Sequence, residues 1–202
     1  MAKLNFKYGA MNSGKTDTLI KAAFNYTERG LAIAVVKPSI DVKGGKYLLT
    51  RSGNKRLVDI LIDPGVNLRK AIKEFIKKNN IKKLACVLVD EAELLDREQI
   101  DQLFDIAKVD NISVIAYGLR ADFQTNLFTG SKRLFELADN IEKLPTMCRC
   151  GSQAEVNCRK QDDVYVFSGD QVAIDGENGV SYDSLCGICY LKKKKDVLKH
   201  NS

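Results

Sequence analysis

The sequence predicts an α/β fold: a parallel sheet carrying helices on both faces, followed by a small cysteine-rich domain. Three observations lead there. As far as Leu144, short apolar runs alternate with amphipathic stretches, the pattern of strands joined by right-handed helical crossovers. The stretch Gly9, Ala10, Met11, Asn12, Ser13, Gly14, Lys15 and Thr16 fits G-x-x-x-x-G-K-[ST], the phosphate-binding P-loop. Beyond Pro145 long periodicity stops, and cysteines gather as Cys148-x-Cys150 and Cys186-x-x-Cys189.

Taken in order, Lys3–Tyr8 alternates apolar Leu4, Phe6 and Tyr8 with polar residues and predicts a strand. Thr16–Tyr26 lacks Pro and Gly and predicts a helix, so the glycine loop has the strand and helix it needs on either side. Leu31–Val36 predicts a buried parallel strand ending at Lys37-Pro38. Ser39–Asn54, with Gly44, Gly45, Gly53, Lys43, Lys46 and Arg51, reads as a basic loop, either a lid over a ligand or a solvated surface.

Asn67–Lys78 is an amphipathic helix, with Leu68, Ala71, Ile72, Phe75 and Ile76 on one face. Leu84–Val89 is the central strand and stops at Asp90-Glu91. Asp96 and Gln99 form a capping-box pattern ahead of another helix. Ile112–Tyr117, Ser131–Asp139 and Ile141–Leu144 predict strand, helix and strand. In the remainder, strand-like pieces stand at Val164–Phe167 and Gln171–Ile174, and Lys192–Lys195 is a solvated charge run. The domains are therefore 1–144, 145–191 and a basic tail 192–202.

Composition limits the chemistry. Hydrophobic residues make up 45% of the 202, enough for a sizeable core. A formal charge of +6 suits a polyanionic ligand without demanding nucleic acid. No apolar run reaches membrane length and the N-terminus lacks a secretion signal, so a cytoplasmic protein is expected. In a reducing compartment its six cysteines point to metal or core packing rather than disulfides. The single histidine, His200, is at the tail end, which argues against Ser-His or Cys-His nucleophile chemistry.

Backbone amides of the glycine loop and the helix N-terminus converge on phosphate oxygens; Lys15 would reach the β- and γ-phosphates, and the Thr16 hydroxyl would ligate Mg²⁺. Asp90 is placed to hold that Mg²⁺. Glu91, one residue on, is expected on the opposite face of the strand, where it can take a proton from an attacking oxygen. That oxygen is water in an ATPase and a substrate hydroxyl in a kinase. Cys148, Cys150, Cys186 and Cys189 have the make-up of a closed structural zinc site. Cys86 reads as a core residue. Phe123 and Phe128 follow the strand ending at Tyr117, at the carboxyl edge where α/β sheets bind ligands, and either stack on a flat base or pack in the core.

Together these residues resemble thymidine kinases of the zinc-containing P-loop type, over nearly the whole chain. The resemblance rests on Tyr8–Thr16, Val89-Asp90-Glu91-Ala92-Glu93, Tyr117–Phe123, Leu127–Ser131, Cys148-Arg149-Cys150-Gly151, Ser168–Val172, Tyr182 and Cys186–Tyr190. The C-x-C-G first pair is similar to one bacterial branch. The resemblance implies a P-loop NTPase-like parallel sheet plus a small zinc-binding lasso-type domain, built on the four cysteines, that closes over the nucleoside. It implies ATP at Gly9–Thr16 and Asp90, Glu91, Ala92 and Glu93, with Mg²⁺ near Thr16, Asp41 and Asp90. Glu91 would be the base toward the thymidine 5′-hydroxyl. The thymidine pocket would comprise Met11, Leu119, Phe123, Phe128, Val172, Ala173, Ile174 and Tyr182, and a homotetramer inhibited by thymidine triphosphate is implied. No stable nucleic-acid partner is expected. The chain departs from the pattern at Glu93 and Leu94, where the family usually has Gln and Phe, and at Lys43, where Arg is usual. A charged carboxylate at Glu93 would repel ATP. The competing reading is a P-loop ATPase with a zinc ribbon, associated with nucleic acid.

Overall fold

The computed structural model describes residues 1–171, 173, 176 and 178–200, residue 200 without its side chain. Six strands form one sheet, all parallel: β1 (Leu4–Gly9), β2 (Ala32–Pro38), β5 (Ile60–Ile62), β6 (Leu84–Val89), β7 (Ser113–Leu119) and β8 (Asn140–Lys143). Their order is β5-β2-β6-β7-β1-β8, so β6 and β7 lie at the centre beside β1. The period-2 alternation of strand side chains divides the core in two. Ala34, Val36, Val87, Val89, Val114 and Ala116 face one way, against α2 (Leu68–Lys78), α3 (Arg97–Lys108) and α4 (Thr129–Leu137). Ile33, Val35, Cys86, Leu88 and Tyr117 face the other, against Leu19 and Ala23 of α1 (Lys15–Thr27). Cys86 is thus a core residue, and burial pushes its thiol up to about 12.

Side-chain caps open α2 and α3, and the one at α3 is the capping box expected from Asp96 and Gln99. The Asn67 side chain accepts from Lys70 N at 2.7 Å at the start of α2. At α3 both capping-box bonds form, Gln99 N to Asp96 Oδ1 at 2.8 Å and Asp96 N to Gln99 Oε1 at 3.2 Å. Several short strands lie outside the sequence reading. The basic segment after Pro38 contains a strand, β3 (Tyr47–Leu49), pairing antiparallel with β4 (Lys55–Leu57). The edge strand β5 is three residues long, too short for any period to show.

After β8 comes a three-stranded antiparallel sheet in the order β10-β9-β11, made of β9 (Val156–Gln161), β10 (Val164–Val166) and β11 (Val180–Leu185). The segment expected to be a basic tail is instead helical: α5 runs Gly187–His200 through Lys192–Lys195. Buried Tyr190 anchors its first turn edge-on to Phe167 at 5.4 Å, and Lys193 Nζ lies 5.1 Å from the centre of the Tyr165 ring. Ile188, Leu191 and Leu198 stay exposed, so no apolar period marks this helix in the sequence. The strand-like reading at Gln171–Ile174 is not borne out at Gln171 and Ala173, which lie outside any strand; its other two residues are outside the described ones.

Candidate active site

The glycine loop joins β1 to α1 at the carboxyl edge of the sheet. Gly14, the residue before α1, is left-handed at φ 71°, a conformation that glycine adopts without a Cβ penalty. Gly9 is needed for a different reason: a Cβ there would sit 2.3 Å from Ser13 Oγ. Lys15 folds back over the loop, its Nζ donating to Ala10 O at 3.3 Å. The Thr16 hydroxyl donates to Asp90 Oδ2 at 3.0 Å. Asp90 Oδ1 is buried with no hydrogen-bond partner among the described residues. Burial first, and then the Glu91 charge, push the Asp90 carboxyl up to about 7 against the opposing pull of Thr16 and Lys15.

Sequence reasoning puts Asp90 and Glu91 on opposite faces of a strand, and the structure corrects this. β6 ends at Val89, and Glu91 turns left-handed at φ 47° and ψ 43° into a 3₁₀ turn, Ala92–Leu94. Both carboxyls therefore face one cavity. Asp41 reaches the same cavity from the loop after β2. Burial and the Glu91 charge hold its carboxyl above the usual range, and Lys37 opposes them. Lys37 is 1% exposed, with Nζ 3.0 Å from Asp41 Oδ2 and bonded to the carbonyls of Lys43 and Gly45. It pins this loop to the end of β2. The sequence reading passes over it, although a lysine closing an otherwise apolar strand is an available signal. Ala92 packs into the core, whereas Glu93, 3% exposed, is among the residues lining the cavity.

The cavity, about 320 Å³, continues away from the glycine loop between apolar walls. Met11, Leu94, Leu119, Phe123, Phe128, Ala173 and Tyr182 line it. Val172 and Ile174 lie outside the described residues. The sequence reading misses Asn157 and Arg159, both on β9. Asn157 accepts from Met11 N at 2.8 Å and donates to Ala121 O at 3.0 Å. Ser184 of β11 donates to Met11 O, and Thr146 donates to Asn12 O at 3.1 Å. Arg159, 5% exposed, lies 3.8 Å from the centre of the Phe123 ring. It donates to Tyr182 Oη at 2.8 Å, Asp170 O at 2.7 Å and Gln171 O at 3.2 Å. Gln124 donates to Gly169 O and Gln171 donates to Asp122, so the segment before Val172 is tied to the cavity rim. Neither β9 residue belongs to a short motif; only the antiparallel pairing brings them inward.

The four cysteines Cys148, Cys150, Cys186 and Cys189 converge, with their sulfurs all within 4.8 Å of one another. Cys150 and Cys186 are 3.7 Å apart, close to the ~3.8 Å edge of a tetrahedron with Zn–S bonds of ~2.3 Å. Hydrogen bonds from Ser152 lower the Cys150 thiol to about 6, while the crowding of Cys186, Cys150 and Cys148 raises Cys189 to about 12. Sulfurs gathered in this way could hold a metal ion. Cys158 is not one of these converging sulfurs but is buried in the same small core, with Ala154, Leu185, Tyr190, Cys148 and Cys186. Among the described residues no helix is long and apolar enough to cross a membrane.

Comparison with known proteins agrees with this geometry. A family model described as thymidine kinase matches residues 2–190. A thymidine kinase of Haemophilus influenzae (strain 86-028NP) is 40% identical over 194 residues, which cover 96% of this chain and 98% of that protein. One from Enterobacteria phage T4 is 41% identical, covering 92% and 94%. One from Mannheimia succiniciproducens is 38% identical, and both chains are covered in full.

Proposed function

The chain belongs to the thymidine kinase family, which transfers the ATP γ-phosphate to the thymidine 5′-hydroxyl, and from that premise we propose which of its residues carry out the transfer. One observation supports the assignment: a single cavity has the glycine loop and Glu91 at one end and the aromatic walls of Phe123, Phe128 and Tyr182 at the other. The γ-phosphate binds over Gly9–Thr16, the base lies between the aromatic walls, and the 5′-hydroxyl points to Glu91. Glu91 accepts the hydroxyl proton as the oxygen attacks phosphorus, and Lys15 balances charge spreading over the phosphoryl oxygens. Catalysis comes from positioning and electrostatics rather than from a covalent enzyme intermediate.

Thr16, Asp90 and Asp41 would hold Mg²⁺. The donor set fits: Asp90 Oδ1 is buried without a partner among the described residues, and a cation would satisfy it. Bound Mg²⁺ supplies further charge neutralisation at the phosphate oxygens. The cysteine cluster is read as a structural Zn²⁺ site, because four thiolates leave no open position. Residues 1–144 are taken as the nucleotide-binding unit and 145–191 as the unit closing over the nucleoside, with Ala173 along the base. By resemblance, a cytoplasmic homotetramer is proposed.

The test is ADP release with and without thymidine. Glu91→Gln should keep ATP binding and lower kcat by at least ~100-fold, the usual contribution of a positioned base. Near-normal turnover in that variant would exclude Glu91 as the base, and thymidine-independent ADP release would point to hydrolysis.

A further inference from the structure

Strand β2 is apolar from Ile33 to Val36 and then carries a charge, Lys37, which the transfer proposed above does not call on. By strand alternation its side chain leaves on the face of Ile33 and Val35, where Leu48 and Val58 also pack. An ammonium has three N–H donors. Among the described residues three acceptors meet this one: Asp41 Oδ2 at 3.0 Å, Lys43 O, and Gly45 O at 3.4 Å. All three belong to one turn of chain. Gly44 and Gly45 are both left-handed there, at φ 76° and 55°, and the carbonyls of the residues on either side of Gly44 both reach Nζ. Within the turn Asp41 Oδ1 accepts from Lys43 N at 3.1 Å, and Gly45 N and Tyr47 N donate to Val42 O and Gly44 O. The turn is thus wound around a cation that the chain itself supplies.

We propose that Lys37 is a positioning residue for the transfer: its ammonium gathers the turn 41–45 and fixes the Asp41 carboxyl in the cavity that Asp90 and Glu91 also line. The inference rests on that end of the cavity being where the phosphoryl group is transferred. Lys37 differs in this from Lys15. Its donors are used by the turn, so it acts through the loop and not on a phosphate. Because the cation is part of the strand, the turn is set before any ligand arrives. Without the ammonium, one carboxylate oxygen and two carbonyls lose a donor together, and Asp41 moves with its loop.

The test combines amide hydrogen exchange of the ligand-free protein with the ADP-release assay. In Lys37→Met the amides of Lys43, Gly45 and Tyr47 should exchange about tenfold faster or more, while those of β6 and β7 stay protected. Its kcat should fall about tenfold or more, the worth of a hydrogen bond to a charged group, with KM for thymidine unchanged. Asp41→Asn should lose a similar factor. The double variant should lose little more than either single one, because both changes act through one contact. Gly44→Ala should show the same exchange and kcat signature with Lys37 intact, since its Cβ would come within 2.6 Å of Tyr47 O at a left-handed φ. That variant carries the test if Lys37→Met does not fold. Losses that multiply in the double variant would make Lys37 an independent contact to the phosphates and overturn the inference, as would wild-type kcat in Lys37→Met or Gly44→Ala. Near-normal turnover by Glu91→Gln would overturn the reading of the cavity instead, with the faster exchange in Lys37→Met unaffected.

Discussion

Arg159 offers the most direct test of the proposal that the aromatic end of the cavity holds the nucleoside. Its guanidinium joins three things: the Phe123 ring beneath it, the Tyr182 hydroxyl, and the carbonyls of Asp170 and Gln171. The change is Arg159→Met, which keeps the alkyl volume and deletes every donor. Each main-chain carbonyl bonded to a charged donor is worth ~1.5 kcal/mol at the low end, so the two carbonyls together contribute about 3 kcal/mol to holding the segment shut. When the donors are lost, the segment can relax outward and rehydrate. The cost then appears as an unfavourable closing equilibrium rather than as unfolding. At 1.4 kcal/mol per tenfold, KM for thymidine should rise roughly 100-fold. KM for ATP should stay within about twofold, because the partners of Arg159 lie at the end proposed for the nucleoside. Arg159→Lys should be intermediate, since one ammonium cannot reach three acceptors in a fixed fork. The assay is steady-state ADP release with each substrate titrated at saturating levels of the other. An unchanged thymidine KM, or an equal rise in both, would refute the latch.

Zinc removal tests the cysteine cluster: protein purified without added zinc should carry one tightly bound zinc per chain, and Cys186→Ser should lose it together with thermal stability. Metal analysis finding none would exclude the site. Asp96→Ala breaks the capping box and a bond from Gly65 N, and should destabilise by ~1 kcal/mol in denaturant unfolding. Arg69 grips Asp110 with two bonds of 2.7 Å and holds its carboxyl below the usual range. A lowered carboxylate stabilises above its unfolded pKa, about 3.9, and that stability is lost as the pH falls through its folded value. Asp110→Asn should therefore lower Tm at neutral pH and match wild type in acid.

What can be read from sequence follows local rules. The glycine loop, the capping box at Asp96 and Gln99 and the apolar central strands are set by neighbours in sequence, and all appear where periodicity and spacing put them. The two-sided core follows from strand alternation in β2, β6 and β7. The misses arise where structure depends on distant partners. Glu91 leaves its strand because the chain turns left-handed there, which residue identity does not announce. Asn157 and Arg159 are ordinary polar residues in a short strand, and they become site residues only because β9 pairs with β11 and lies across the loop. The helical end of the chain escapes because most of its apolar residues stay in water. Lys37 is legible in principle, yet its role needs the Asp41 loop to fold back over it.

The main chain at Met11 is held from both sides, its amide by Asn157 and its carbonyl by Ser184, with Thr146 bonded to the next carbonyl. The glycine loop, proposed above to hold the donor phosphates, and the antiparallel sheet proposed to wall in the acceptor are therefore one hydrogen-bonded unit. Heterotropic coupling follows: whichever substrate orders this unit first lowers the entropic cost of ordering it for the second. By thermodynamic reciprocity the factor by which ATP tightens thymidine must equal the factor by which thymidine tightens ATP.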